Sequence, residues 1–193
     1  MSTKPRILAF AGSNRKESFN RKALRVAIDA ARAAGAEVTH IELSDYSLPI
    51  MDEDLEASQG IPESAMKLKQ LMIEHPAFLI ASPEYNSSVP PLLKNTIDWV
   101  SRPVRGEPPL AAFQGKIIAL LGASPGAFGA ARSLIHLRAI LAHVGAVVLP
   151  DQATIPNASE AFTPDGGLKD PKQQARIEAV PKKLVEFLKR LGM

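Results

Sequence analysis

Short apolar runs alternate with stretches of helical spacing along the whole chain. "RILAFA" at Arg6–Ala11 and "AFLIAS" at Ala77–Ser82 read as buried strands, as do residues 116–124 (KIIALLGAS) and 146–150 (AVVLP). Residues 37–43 (EVTHIEL) alternate apolar and polar positions and predict a further strand. Between these runs the period changes. Leu24, Ile28 and Ala31 fall at i, i+4, i+7, and Gly35 closes that helix. Residues 62–75 begin a helix at Pro62 and end before Pro76, and residues 91–101 place Leu93, Ile97 and Val100 on one face. Two more helices are predicted over about 129–144 and about 171–191. Pro181 lies deep inside the last and is expected to kink it or break it just before that point. Residues between the second strand and the helix at 62–75, with Pro49 and the acids Asp52, Glu53 and Asp54, are expected as a loop.

Five apolar strands separated by helices predict an α/β fold with a parallel sheet covered on both faces and right-handed crossovers. No repeat and no linker divides the chain, so residues 1–193 are expected to form one domain. In such a sheet a ligand sits beyond the carboxyl ends of the strands where strand order reverses, which directs attention to the loops after the first, third and fourth strands.

The first loop is "GSNRKESFN", from Gly12 to Asn20. Ser13, Asn14 and Ser18 offer hydroxyl and amide groups, Ser18 is placed to cap the following helix, and Arg15 adds a forked cation. With the helix N-terminus this suits a phosphate monoester; it also suits an ordinary Gly/Ser turn between strand and helix. The Walker and G-x-G-x-x-G patterns are both absent. The second loop, "SPEYNSSVP", holds Glu84, Tyr85 and Asn86 between Pro83 and Pro90. It fits the edge of a planar heterocycle, or a rigid connection with Tyr85 covering the sheet end. The third loop, "GASPGAFGAARS", contains a literal G-x-S-x-G around Ser124. A hydrolase elbow is excluded because Pro125 has no N–H for an oxyanion hole, and no acid separates Ser124 from His136 and His143. What remains is a loop of small residues that a flat ligand can approach closely.

Composition narrows the chemistry. There are no cysteines, which removes disulfides, thiolate metal sites and thiol redox chemistry, so any redox chemistry must come from a bound cofactor. The net charge of +3 gathers partly in Arg15, Lys16, Arg21, Lys22, Arg25 and Arg32, which reads as a solvated helix face or as local attraction for an anion. No aromatic residues interleave these cations and no nucleic-acid motif occurs, so nucleic acid is not an expected partner. His136 and His143 share a helix face without a third ligand, so no metal is expected. No run approaches ~20 apolar residues, and "MSTKPRILAFAGS" does not read as a signal peptide, so no membrane association and a cytoplasmic location are expected.

Together "GSNRKESFN", "SPEYNSSVPPLLKNTIDWVSR" and "GASPGAFGAARS" resemble the NADPH-dependent FMN reductase family, flavodoxin-like proteins that include quinone, azo-dye and chromate reductases. The resemblance covers essentially the whole chain, and its specific part is Pro-Glu-Tyr-Asn followed by the "KN.IDW" helix. It implies a three-layer flavodoxin-like fold with strand order 2-1-3-4-5. It implies non-covalent FMN, with Ser13, Arg15, Ser18, Phe19 and Asn20 around the phosphate. Pro83, Glu84, Tyr85 and Asn86 would border the ring, largely through backbone groups, and Ser124 and Gly126 would lie along the ribityl chain and ring. NADPH is the implied hydride donor and a quinone, free flavin or other small molecule the acceptor, by a ping-pong route with no catalytic side chain required. A homodimer or homotetramer is implied, although Ser87 stands where some members carry tyrosine. Arg102 and Arg105 are candidates for the nucleotide's phosphates; Arg102 alternatively pairs with Asp98 one turn back. The rival reading is a flavodoxin-like electron-transfer module that serves a protein partner; a flavin-free interaction protein on the same fold is a third.

Overall fold

The computed structural model describes residues 4–193. Five parallel strands, β1 (Arg6–Ala11), β2 (Glu37–His40), β3 (Ala77–Ser82), β4 (Ile117–Ala123) and β5 (Val147–Ile155), form one sheet in the order β2-β1-β3-β4-β5. Among the described residues seven α-helices accompany them: α1 (Phe19–Ala33), α2 (Glu53–Gln59), α3 (Glu63–Glu74), α4 (Pro91–Val100), α5 (Ala131–His143), α6 (Ala158–Ala161) and α7 (Pro171–Arg190). This is the flavodoxin-like arrangement that the family resemblance implies.

The period-2 pleat sorts the central strands into two cores. Ile7, Ala9 and Ala11, Ala77, Leu79 and Ala81, and Ile117, Ala119, Leu121 and Ala123 face α1 and α7. Leu8 and Phe10, Phe78 and Ile80, and Ile118 and Leu120 face α3, α4 and α5. The first set is rich in alanine, which leaves room for helices to approach; the second is filled by Phe10, Phe78 and Phe113 in tilted and edge contacts.

Several boundaries differ from expectation, each for a local reason. β2 ends at His40 rather than residue 43, because pairing runs only to Ala9↔His40 before the chain turns into a short 3-10 segment at Leu43–Asp45. β5 continues past Pro150 to Ile155. A register shift moves the partner of β4 from Val148 to Gln152, so the proline sits in a bulge of an edge strand, where its missing N–H is tolerated. Residues 53–59 are helical and not loop: Asp52 accepts the N–H groups of Asp54 (2.8 Å) and Leu55 (3.3 Å) as an N-cap, and Gly60 terminates the helix. α7 continues through Pro181 without a break. The lost helical bond is offset by burial of Val180, Pro181, Leu184, Val185 and Leu188 on the sheet.

The link from β4 to α5 depends on Gly129, at φ +57°, where a Cβ would lie 2.6 Å from the Pro156 nitrogen and 2.7 Å from the Ile155 carbonyl carbon. Gly129→Ala is therefore expected to destabilise the apoprotein by about 2 kcal/mol or more, read as a lowered urea midpoint with unchanged m-value.

Candidate active site

β1, β3 and β4 end level with one another, with Ala11 opposite Ala81 and Ser82 opposite Gly122. The three predicted loops consequently emerge side by side. The Gly12 N–H adds one more bond to Ala81 O (2.9 Å), and the absence of a side chain there matters: a Cβ would lie 3.2 Å from Leu93 and 3.4 Å from Pro83. Glycine thus brings the first loop against the base of the second.

The three helices that follow β1, β3 and β4 differ in how the N–H groups of their first turns are satisfied. α1 is open. Ser18 occupies the N-cap position, as expected, but its hydroxyl makes no capping bond and no acid lies in the first turn. The N–H groups of Phe19, Asn20 and Arg21 meet no backbone or side-chain acceptor among the described residues. Ser13 is buried nearby and accepts the Arg15 N–H (3.4 Å). The exposed Arg15 guanidinium reaches Glu17 O (3.3 Å) and lies 5.7 Å from the Phe19 ring centroid. α4 removes its own first donors by starting at Pro90 and Pro91.

α5 is closed, by a residue distant in sequence. Its N-cap, Ala130, is left-handed (φ 75°) and offers no side-chain acceptor. Instead Glu84 Oε2 accepts the N–H groups of Arg132 (3.1 Å) and Ser133 (3.2 Å), and Oε1 accepts Arg132 Nε (2.8 Å) and Nη2 (2.5 Å). Burial alone would raise this carboxyl's pKa, but hydrogen bonds from the Arg132 side chain and the Ser133 N–H, with the Arg132 charge, outweigh it and hold it below the usual carboxylate range. The Ser133 hydroxyl donates to Pro83 O (2.8 Å) and contacts Ser82 Oγ (3.2 Å), stitching the same two segments.

Beyond Glu84 the chain makes a tight turn, with Tyr85 and Ser88 exchanging both backbone bonds (3.1 and 3.0 Å). Asn86 (φ 49°) and Ser87 (φ 65°) are both left-handed, the geometry of a type I′ turn usually carried by Asn-Gly. A non-glycine residue held so costs about 1–3 kcal/mol, and such strain clusters at functional sites. The Asn86 and Ser87 N–H groups have no protein acceptor among the described residues, and the Tyr85 side chain is 50% exposed. The Ser88 hydroxyl bonds His136 Nδ1 (2.9 Å), which gives that histidine a polar partner on α5.

Ser124 and Gly126 lie in the third loop, which is tied to the segment after β5. The Ser124 N–H donates to Ile155 O (3.1 Å), Ala158 N–H to Ser124 O (3.0 Å), and Asn157 N–H to Gly126 O (3.3 Å). Phe162, from that segment, stacks on Phe19 (centroids 6.3 Å apart, planes at 4°). Sequence reasoning missed this fourth element, because the short helix at Ala158–Ala161 carries no apolar periodicity.

Asn20 is the predicted residue whose role changes most. It is 3% exposed; its Nδ2 donates to Ala123 O (2.8 Å) and its Oδ1 accepts the Ala123 N–H (2.9 Å). Its amide is spent on bracing the end of β4, leaving only its backbone N–H for a ligand. Arg102 does not pair with Asp98: it binds Glu56 (2.7 Å) and approaches Glu53 (3.7 Å), pinning α2, while Lys94 takes Asp98 (2.9 Å). Arg105 is exposed. In the "KN.IDW" helix, Asn95 and Trp99 serve as struts. Asn95 Nδ2 and Trp99 Nε1 both donate to Pro49 O (2.8 Å each), and Asn95 Oδ1 accepts the Met51 N–H (2.8 Å).

This edge thus has one open helix N-terminus that attracts anions, one closed by an internal carboxylate, and a strained turn between them. A family model for NADPH-dependent FMN reductases matches residues 5–160, and the chain belongs to that family, which makes it an oxidoreductase. An NAD(P)H-dependent FMN reductase of Pseudomonas aeruginosa is 37% identical over 193 residues, covering 99% of each chain. An NADPH:quinone oxidoreductase of Arabidopsis thaliana is 35% identical over 191 residues, covering 96% of this chain and 93% of its own. Among solved structures, FerB, a flavoenzyme NAD(P)H:(acceptor) oxidoreductase from Paracoccus denitrificans, superposes with a TM-score of 0.80 at 32% identity, covering 96% of this chain and 98% of that one.

Removing the Asn20 brace leaves buried backbone groups of Ala123 unpaired. Asn20→Ala is expected to cost about 2 kcal/mol of apoprotein stability, measured by chemical denaturation without added flavin.

Proposed function

We propose that the protein oxidises NADPH and reduces a quinone, free flavin or another small acceptor, with FMN held non-covalently between the three loops. The observation that carries this reading is the open first turn of α1. Of the three helices that follow β1, β3 and β4, it is the one whose first-turn N–H groups are neither removed by proline nor met by a side chain, and Ser13, Ser18 and Arg15 stand beside it. Phosphate there is received by the backbone N–H groups of Phe19 and Asn20 as well as by those side chains. The Phe19 ring, stacked on Phe162, holds the wall of that end.

The ring end falls on Pro83, Glu84, Tyr85 and Asn86, acting mainly through backbone. The Glu84 carboxylate is already committed to α5, whereas the N–H groups of Asn86 and Ser87 are free. Ser124 and Gly126 line the stretch between, where the Gly126 N–H has no protein acceptor among the described residues. FMN, when bound, supplies a carrier that takes up a hydride and gives it on. The overall balance is NADPH, a proton and a quinone giving NADP+ and a hydroquinone. One slot serving donor and acceptor in turn gives ping-pong kinetics. The chain's part is to bind, orient and place N–H donors where the reduced ring gathers negative charge.

Steady-state kinetics on FMN-loaded protein test this directly. NADPH oxidation by the protein alone, with parallel double-reciprocal lines when a quinone is varied, is the expected result. Colourless protein without FMN affinity would end the reading, and turnover that needs a separate reductase would point instead to an electron carrier.

We also propose a homodimer or homotetramer. In support, α5 presents Ile135 at 63% exposure, beside an α4–α5 groove of about 540 Å³ that includes Ile97, Leu110 and Ile140. Light scattering is expected to return a multiple of 20.7 kDa; a particle of that mass itself would refute the assignment.

A further inference from the structure

We infer that Glu84 is a positioning residue for the flavin ring: by capping α5 across the site and gripping Arg132, it locks the loop after β3 to the loop after β4 and so holds the strained Tyr85–Ser88 turn in its binding shape. The inference rests on the FMN reading above and goes beyond it, because it gives the Glu84 side chain a task that requires no contact with the flavin.

Four donors converge on the two carboxylate oxygens: the Arg132 and Ser133 N–H groups and two nitrogens of the Arg132 guanidinium. The Glu84 side chain is 6% exposed while that of Arg132 is 48% exposed, so the carboxylate is set into the protein and the guanidinium closes over it from the solvent side. Left-handed residues lie close to it in both segments: Asn86 and Ser87 just after it, and Ala130 just before its partners. Strained backbone persists only where the surroundings over-determine it. Four sets of side-chain links join the segment 82–88 to α5: the Glu84 clamp, the Ser133 bond to Pro83, the Ser82–Ser133 hydroxyl contact and the Ser88–His136 bond; of these the Glu84 clamp is the one that carries charge and also closes the helix N-terminus.

The clamp also reaches the site's rim. The far face of the Arg132 guanidinium lies 4.6 Å from the centroid of the Phe128 ring, which is 61% exposed. Phe128 belongs to the same loop as Gly126. One carboxylate thus sets the spacing of the turn that offers the Asn86 and Ser87 N–H groups and orients, through Arg132, an aromatic side chain on the opposite lip. It has a second effect, on the polarity of the site. By filling the N-terminus of α5 with an internal anion it denies that helix to a phosphate and leaves α1 as the anion-binding end.

The chemistry demands an acid rather than an amide. Every partner of Glu84 is a donor, so glutamine would turn its own NH2 group toward donors and satisfy at most half of them. Glu84→Gln is therefore a near-isosteric test, and comparing FMN with riboflavin separates the two ends of the site. By fluorescence titration, Glu84→Gln is expected to weaken FMN and riboflavin by the same factor, about tenfold or more. Arg15→Ala is expected to weaken FMN alone by about tenfold, since riboflavin has no phosphate. At saturation, the visible circular dichroism of the bound flavin is expected to change in Glu84→Gln and to stay as wild type in Arg15→Ala. A merely structural loss would lower apoprotein stability and leave the spectrum of the saturated complex unchanged.

If Glu84→Gln binds both flavins like the wild type, weakens FMN only, or leaves the saturated spectrum unchanged, the inference is overturned while the FMN reading stands. If instead Arg15→Ala leaves FMN affinity unchanged, the phosphate-end assignment fails, independently of Glu84. Should Glu84→Gln not fold, Arg132→Lys keeps the charge without the fork; wild-type affinity for both flavins in that variant would equally overturn the clamp.

Discussion

Every helix that starts at the carboxyl edge of a parallel sheet must find partners for the N–H groups of its first turn, and the organisation of this site follows from how three helices meet that demand. α4 begins at two prolines and so has fewer donors to satisfy. α5 borrows a carboxylate from Glu84, forty-eight residues earlier in the chain. α1 is left open: its serine cap forms no bond and its first turn carries no acid. An anion is attracted to the one position where the protein has supplied none itself. On the proposed reading, the direction of the site, phosphate end to ring end, follows from this capping pattern.

The rest of the structure holds that edge still. Alanines on the α1 face of β1, β3 and β4 let the helix approach closely, and the bidentate Asn20 amide ties the start of α1 to the last residue of β4. On the other face, Trp99 and Asn95 fasten the Pro49 segment, and Arg102 pins α2 through Glu56. These are polar links between elements far apart in sequence, each satisfied by a backbone carbonyl or a carboxylate. They order the loops without themselves facing a ligand. The residues that carry the family resemblance divide accordingly: Ser13, Arg15 and the N–H groups of Asn86 and Ser87 have free capacity, while the side chains of Asn20, Glu84, Asn95 and Trp99 are braces.

Strand number and the parallel sheet were legible in the sequence because buried parallel strands read as unbroken apolar runs, the strand order came with the family resemblance, and the loops after β1, β3 and β4 emerge side by side as expected. The errors fell where local signals conflicted or long-range partners decided. Pro150 ended the expected fifth strand, yet a bulge on an edge strand absorbs it. Asp52 and the acids after it read as loop, although an N-cap followed by acids is also how a helix begins. Pro181 was expected to disturb α7, but burial on the sheet carries the helix through it. The tasks of Glu84, Asn20 and Arg102 were beyond reach from sequence alone, since each depends on a partner brought in by the fold. A glutamate in a loop gives no local sign that it caps a helix forty-eight residues later.

On the proposed reading α1, and not α5, receives the phosphate. Amide chemical shifts of isotope-labelled apoprotein, titrated in turn with riboflavin and with FMN, address it residue by residue. The account predicts that the amides of Phe19, Asn20 and Arg21 move with FMN but hardly with riboflavin, while those of Asn86 and Ser87 move with both. Phosphate-dependent shifts at Arg132 and Ser133, with Phe19 to Arg21 unmoved, would contradict it.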